Sequence, residues 1–234
     1  MNPSQNTHSI LTSGSYELRG QFMLGSNYTF LVDVHHDGES IKAVYKPSKG
    51  EQPLWDFPEN TLALREVAAY ELSEALGLRI VPVTVYREDG PYGPGSLQQY
   101  IDYDIEYHYF NFSVEDKQRL RPVVLFDYLA NNADRKGSHI FFEDDTHHLF
   151  AIDHGICFHE EYKLRTVLWD FAGQPIPEEL LTPLSSTGGW AGLFERYLSP
   201  NEIAALIHRA EELHQTKLFP QPIHGRRSYP YPPV

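Results

Sequence analysis

The chain has 234 residues and a formal net charge of −13, enough length for one large domain or two small packed lobes. A surface this acidic repels phosphate backbones, which argues against nucleic acid as a partner. No apolar run approaches the roughly 18–20 residues of a membrane helix, the N-terminus lacks the order of a signal peptide, and the single cysteine, Cys157, excludes an internal disulfide, so a cytoplasmic protein with no transmembrane segment is expected.

The first dozen residues are polar and are predicted to fray. Residues 15–20, 28–34 and 41–46 alternate or carry β-branched and aromatic side chains, with turns at Gly25-Ser26-Asn27 and His36-Asp37-Gly38. That pattern predicts a three-strand meander. An excursion with Pro53 and Pro58 follows. Residues 61–77 then show helical spacing, with Leu64, Val67, Ala68, Leu72, Ala75 and Leu76 largely on one face. Asn60 or Thr61 is the expected cap and Gly77 the stop. Strands at 80–86 and 95–101 flank Asp89-Gly90-Pro91. The first hundred residues thus read β-β-β-α-β-β.

The second half reads as mainly helical. Ser113 caps one segment, and Pro122 fits as the first residue of a helix over 122–131. A hairpin is expected, with strands near 139–143 and 148–152. Ser199-Pro200-Asn201-Glu202 is a capping box opening a last helix whose stripe is Ile203, Leu206, Ile207, Ala210 and Leu213. The proline-rich end beyond it reads as an extended tail, and Tyr229 and Tyr231 favour a docked one.

Four places carry chemistry. Lys46 ends the third strand, where a cation sits on a rigid support, and Glu66 in the first turn of the next helix could hold its ammonium toward a phosphate. Alone, each is also what a snorkelling lysine or a dipole-favoured acid would look like. Gly25 and Ser26 could bring backbone N–H groups to phosphate oxygens. In the loop NNADRKGSH, residues 131–139, Asp134 could accept a proton or position a hydroxyl, while Arg135 and Lys136 could offset phosphate charge. In AIDHG, residues 151–155, Asp153 leaves an apolar strand, a costly place for a carboxylate unless a metal or cation meets it.

The joint order of these features resembles the protein-kinase-like fold. NNADRKGSH, AIDHG and KLRTVLWDFAG resemble the phosphatidylinositol 3-/4-kinase-related branch and, most of all, a bacterial, actinobacterial-type family of kinase-like proteins. The resemblance implies an α+β fold of two lobes. Residues 1–101 would form an antiparallel β-lobe with one helix, and residues 102–234 a mainly helical lobe. It also implies an ATP- and metal-dependent phosphotransferase with Mg²⁺ or Mn²⁺ and an acceptor hydroxyl of unknown class, on a small molecule, protein or lipid. Lys46, held by Glu66, would contact the α/β-phosphates. Asp134 would face the acceptor, with Arg135 as a charge stabiliser or structural residue. Asp153 would bind the metal, and Leu97, Gln98, Gln99 and Tyr100 would meet adenine. Where kinases of this type usually carry a metal-binding asparagine, this sequence has His139. Imidazole suits Mg²⁺ poorly, so one metal, a softer ion such as Mn²⁺, or weak turnover is expected, and His154 could reinforce any of these. Two other readings stand beside this one: a nucleotide-binding pseudokinase acting as an interaction module, and nucleotidyl transfer on the same fold. A metal hydrolase built on Asp134, Asp153, His139, His147, His148, His154 and His159 is a further reading, although no pair has zinc-site helical spacing.

Overall fold

The computed structural model describes residues 3–22 and 28–234. Five strands form one antiparallel sheet: β1 (Ser15–Gln21), β2 (Phe30–His36), β3 (Glu39–Pro47), β4 (Thr84–Arg87) and β5 (Gly95–Gln99), in the order β1-β2-β3-β5-β4. The β2–β3 pair turns at Asp37 (φ 48°) and Gly38 (φ 83°), the double left-handed geometry of a two-residue hairpin. Alternation sends Phe30, Val32 and Val34 inward, facing Tyr45, Ala43 and Ile41 in register. The turn at Gly25, Ser26 and Asn27 lies outside the described residues.

The beginning of the chain departs from expectation. Residues Pro3–Ser13 form a helix, α1, which packs on β2, β3, β4 and β5 with Ile10 and Leu11 buried. The Arg87 guanidinium donates to the carbonyls of Leu11 (2.8 Å) and Gly14 (3.1 Å). A Cβ on Gly14 would stand 2.5 Å from Val34 Cγ1, so this junction needs glycine. Two apolar residues and a buried arginine outweigh the polar composition that suggested fraying.

Helix α2 (Leu62–Ala75) follows the excursion and packs on β4 and β5. Leu64 and Ala75 fall off its buried face. Gly77, at φ 67°, ends it. Its start is capped from a distance: the Glu51 carboxylate accepts from the N–H of Leu62 (3.2 Å) and Ala63 (2.9 Å), while the Thr61 hydroxyl donates to Pro58 O instead. Residues 80–83 are a connection, not strand. The Ser73 hydroxyl accepts from the N–H of Ile80 and Val81, and Pro82 has no N–H to give a ladder.

The remaining chain carries α3 (Val114–Gln118), α4 (Arg121–Ala130), the hairpin β6 (Ile140–Phe142) and β7 (Leu149–Ala151), then α5 (Glu178–Leu181), α6 (Trp190–Phe194) and α7 (Pro200–Thr216). The Ser199 capping box is present, and α7 buries Ile203, Leu206, Ala210 and Leu213 against α4 and α6. Arg65 of α2 reaches Glu202 of α7 at 2.5 Å, joining the sheet-side helix to the helical half. The tail lies on the body through Pro230 and its backbone, for Ser228 O accepts from Thr166 N–H and Trp169 Nε1. Tyr229 and Tyr231 face solvent, so they are not what docks it.

Candidate active site

A cavity of about 720 Å³ opens between the sheet and the loop 131–139, a size suited to a small-molecule ligand. Lys46, Glu66, Gln98, Gln99, Tyr100, Asp134, Lys136, His139 and Asp153 all line it. β3 carries Lys46 to its edge, and α2 offers Glu66 one turn later than expected. The Lys46 ammonium donates to Glu66 Oε1 (2.5 Å) and to Asp153 Oδ1 (3.0 Å). Burial works against the lysine's charge, but Asp153 and Glu66 outweigh it and raise its pKa. The neighbouring ammonium in turn holds the Asp153 carboxyl well below the usual range.

Asp153 stands two residues beyond β7 with φ 63°, a left-handed conformation costly for a residue with a Cβ. Its neighbours fix it there. Ile152 N–H donates to His139 O (3.0 Å) and His154 N–H to Glu66 Oε2 (3.0 Å). The side chain is half exposed to the cleft. Its Oδ2 lies 3.4 Å from His139 Nε2, and His139 Nδ1 is buried without a partner among the described residues. Burial lowers the His139 pKa to about 4, so the ring is neutral.

Asp134 projects from the loop after α4, whose end is set by Asn131 in the left-handed region (φ 51°). Asp134 N–H donates to Asn132 Oδ1, and the carboxylate pairs with Lys136 at 3.3 Å. Burial raises its pKa, with Lys136 opposing. That suits a group asked to take up a proton.

Arg135 is not in the cavity. It is fully buried, and its fork is spent on Asp127 (2.9–3.1 Å), Ile152 O, His139 O and His154 Nε2. It ties the loop to the end of β7, which is the structural one of the two roles expected for it and not the charge stabiliser in the cleft. His154 lies behind the site as well, accepting from Arg135 at 2.7 Å, with its pKa pushed far down by burial. It cannot assist a metal at Asp153. The remaining histidines are dispersed: His147 meets Asp116, His148 meets Arg79 O and His159 meets Asp56 O. That dispersal removes the basis for a polyhistidine hydrolase. Among the described residues, Glu17, Asp33 and His35 bring three ligand atoms together, but Arg19 already pairs with both acids there.

At the other wall, Gln99 N–H donates to Val83 O (2.8 Å) and Tyr100 N–H to Lys42 O (3.1 Å), while Gln98 Nε2 donates to Thr84 Oγ1. Leu97 is buried in the sheet and does not line the cavity. The wall continues through Ile101, and Tyr103 stacked on Phe141 at 3.8 Å forms an aromatic platform. Nothing in the local sequence pattern marks these three or Glu51. Gly25 and Ser26 lie outside the described residues.

Solved structures share this fold. A Helicobacter pylori proinflammatory kinase, CtkA, matches with a TM-score of 0.55 and 12% identity over 89% of this chain and 94% of that one. A hydra Fam20 structure with sugar matches with a TM-score of 0.53 and 12% identity over 91% and 87%. The fold is therefore kinase-like, a mixed α/β fold with an antiparallel sheet and helices. No family model matches the chain. Protein Rv2133c of Mycobacterium tuberculosis is 36% identical over 265 aligned positions, spanning 96% of this chain and 94% of the relative, and the chain belongs to the family of that protein.

Proposed function

We propose that the protein is an ATP-dependent phosphotransferase of the phosphatidylinositol 3-/4-kinase-related type, two-lobed, with residues 1–101 holding the nucleotide and residues 102–234 the catalytic loop. The observation that carries this reading is the Lys46 ammonium bridging Glu66 and Asp153 in one cavity with Asp134 on its wall. The one ammonium faces two carboxylates, Glu66 and Asp153. Nucleotide phosphates would take over the ammonium and free the Asp153 carboxylate. Gln99 and Tyr100 already use their N–H groups within the sheet, so adenine would meet the carbonyls of this stretch or the amide of Ile101, over the Tyr103–Phe141 platform.

A divalent cation fits Asp153 and His139, whose ligand atoms lie 3.4 Å apart, near the separation of two neighbouring ligands around one ion with bonds of about 2.1 Å. One carboxylate oxygen and one neutral imidazole suit Mn²⁺ better than Mg²⁺. The bound ion would supply charge neutralisation for the phosphates. Asp134 orients the acceptor hydroxyl. The acceptor oxygen attacks the γ-phosphorus, the bond to the β,γ-bridging oxygen breaks, ADP leaves, and the hydroxyl proton passes to Asp134 and then to solvent. Asp134→Ala is expected to lower ATP turnover by about 10²–10⁴-fold while leaving nucleotide-dependent stabilisation in a thermal-shift titration nearly intact. Equal turnover in mutant and parent removes Asp134 from this role.

His139 also supports a second reading, a nucleotide-binding pseudokinase, because a buried neutral imidazole stands where an oxygen ligand is usual. Nucleotide and Mn²⁺ raising the melting temperature, with no ATP consumed across a panel of acceptors, would favour it.

A further inference from the structure

A row of three side chains crosses the sheet at the cavity wall. Val44 on β3, Gln98 on β5 and Thr84 on β4 are paired across the strands, so their side chains share one face. Val44 and Gln98 line the cavity, while Thr84 is buried and does not. Lys46 stands two residues beyond Val44 on the same face, about 6.6 Å along the strand. The row is therefore displaced from the end marked by Lys46 and Asp153. It lies where the wall runs on through Gln99, Tyr100 and Ile101.

Hydrogen bonds fix which way the Gln98 amide is turned. Pro82 O can only accept, so the single hydroxyl proton of Thr84 is spent on it at 2.8 Å. Thr84 Oγ1 then has only acceptor capacity left. Its Gln98 partner is the NH₂ end, which donates to it at 2.8 Å. A flipped amide would set oxygen against oxygen. Gln98 Oε1 is the end that remains. It has no donor among the described residues, yet it is not sealed off. For a residue only 6% exposed that lines the cavity, the opening is into the cavity. Val44, Pro82, Ile101 and Phe141 line the same cavity with apolar surface, so an acceptor among them gains from a ligand N–H.

We propose that the Gln98 side chain selects the base of the nucleotide. Its Oε1 accepts an N–H of the adenine 6-amino group and turns away guanine, which carries an oxygen acceptor at that position. Thr84 acts through Gln98, as a positioning residue that holds the amide in the adenine-reading orientation. The proposal rests on the phosphotransferase reading and deepens it, since it names the atom that would distinguish ATP from GTP. A site built to meet a donor loses affinity for a ligand that offers an acceptor there, because two oxygens are then left facing each other out of water.

The test is calorimetric titration of AMP-PNP and of GMP-PNP into the full chain with MnCl₂, read as the ratio of the two dissociation constants. A merely structural role would weaken both nucleotides alike and leave the ratio unmoved. The parent is expected to bind AMP-PNP about tenfold or more tighter than GMP-PNP. Gln98→Leu is expected to bring the two affinities to within about twofold of each other. Thr84→Val is expected to lower the ratio as well, although Thr84 does not line the cavity, because it frees the amide to turn its NH₂ toward the guanine oxygen. Unchanged circular dichroism shows that the variants fold. If Gln98→Leu does not fold, the parent ratio and Thr84→Val decide. A parent ratio near one, or a parent-like ratio in either variant, overturns the proposal while nucleotide binding itself leaves the phosphotransferase reading standing. Binding of neither nucleotide to the parent overturns both.

Discussion

His139 lines the cleft with its ring largely buried, and that burial has a consequence for stability. The ring is neutral with a pKa lowered to about 4, and that of His154 is lowered well below the usual value, in both cases mainly by burial. An unfolded histidine titrates near 6.5. Between those values the unfolded chain binds protons that the folded chain does not, so acid favours unfolding. Stability is expected to fall from about pH 6.5 toward pH 4, by up to about 1.4 kcal/mol per pH unit for each histidine. Urea unfolding of His139→Asn should have a slope against pH smaller by about one proton, and an unchanged slope would place the proton uptake elsewhere. Asp153 titrates below this window, so the comparison isolates the imidazole. At this scale the sequence was partly legible. Lys46 and Asp153 stand at strand ends, where an ionised group beside a core needs a reason. Arg135 and His154 were not legible, because a guanidinium or imidazole reads the same in sequence whether it faces a ligand or is spent on Asp127 behind the loop.

Element by element, alternation and turn chemistry were enough for the β2–β3 turn, the hairpin of β6 and β7 and the capping box of α7, since each follows from neighbouring residues, but not for the start of β4. Nor were they enough for the start of α2, because its cap comes from Glu51, eleven residues before Leu62. That carboxylate is partly desolvated, which raises its pKa, and the Ala63 and Leu62 N–H groups oppose the rise. Its work extends to the site, since α2 carries both Glu66, which holds Lys46, and Arg65, which holds Glu202 of α7. Glu51→Ala removes an acceptor from two N–H groups and should cost about 0.5–2 kcal/mol in unfolding free energy. Loss of the Glu66 alignment would also weaken nucleotide binding. A stability change with unaltered nucleotide affinity would mean that the cap serves α2 alone.

Across the whole molecule, both chain ends meet parts that determine the site. Helix α1 packs on the sheet that presents Lys46, and the tail reaches the loop 131–139, where Gly137 N–H donates to Pro233 O at 2.8 Å. Neither contact was legible, because each joins residues about a hundred or, from Leu11 to Arg87, seventy-six positions apart, and no local pattern encodes such a distance. Gly137 has little room: an added Cβ would stand 2.7 Å from Phe110 Cε2. The loop is thus pressed on one side by Phe110 and tied on the other by the tail. Deleting residues 230–234 removes the tie and the buried Pro230, but leaves Ser228 on Thr166 and Trp169. A net hydrogen bond of about 1 kcal/mol sets the scale, so amide exchange over residues 134–139 should quicken by about fivefold. Exchange in α7 should not change, because its principal contacts run to α4, α6 and the segment 182–185. Quickening in both segments would mean general destabilisation, and quickening in neither would mean that the loop holds Asp134 in place without the tail.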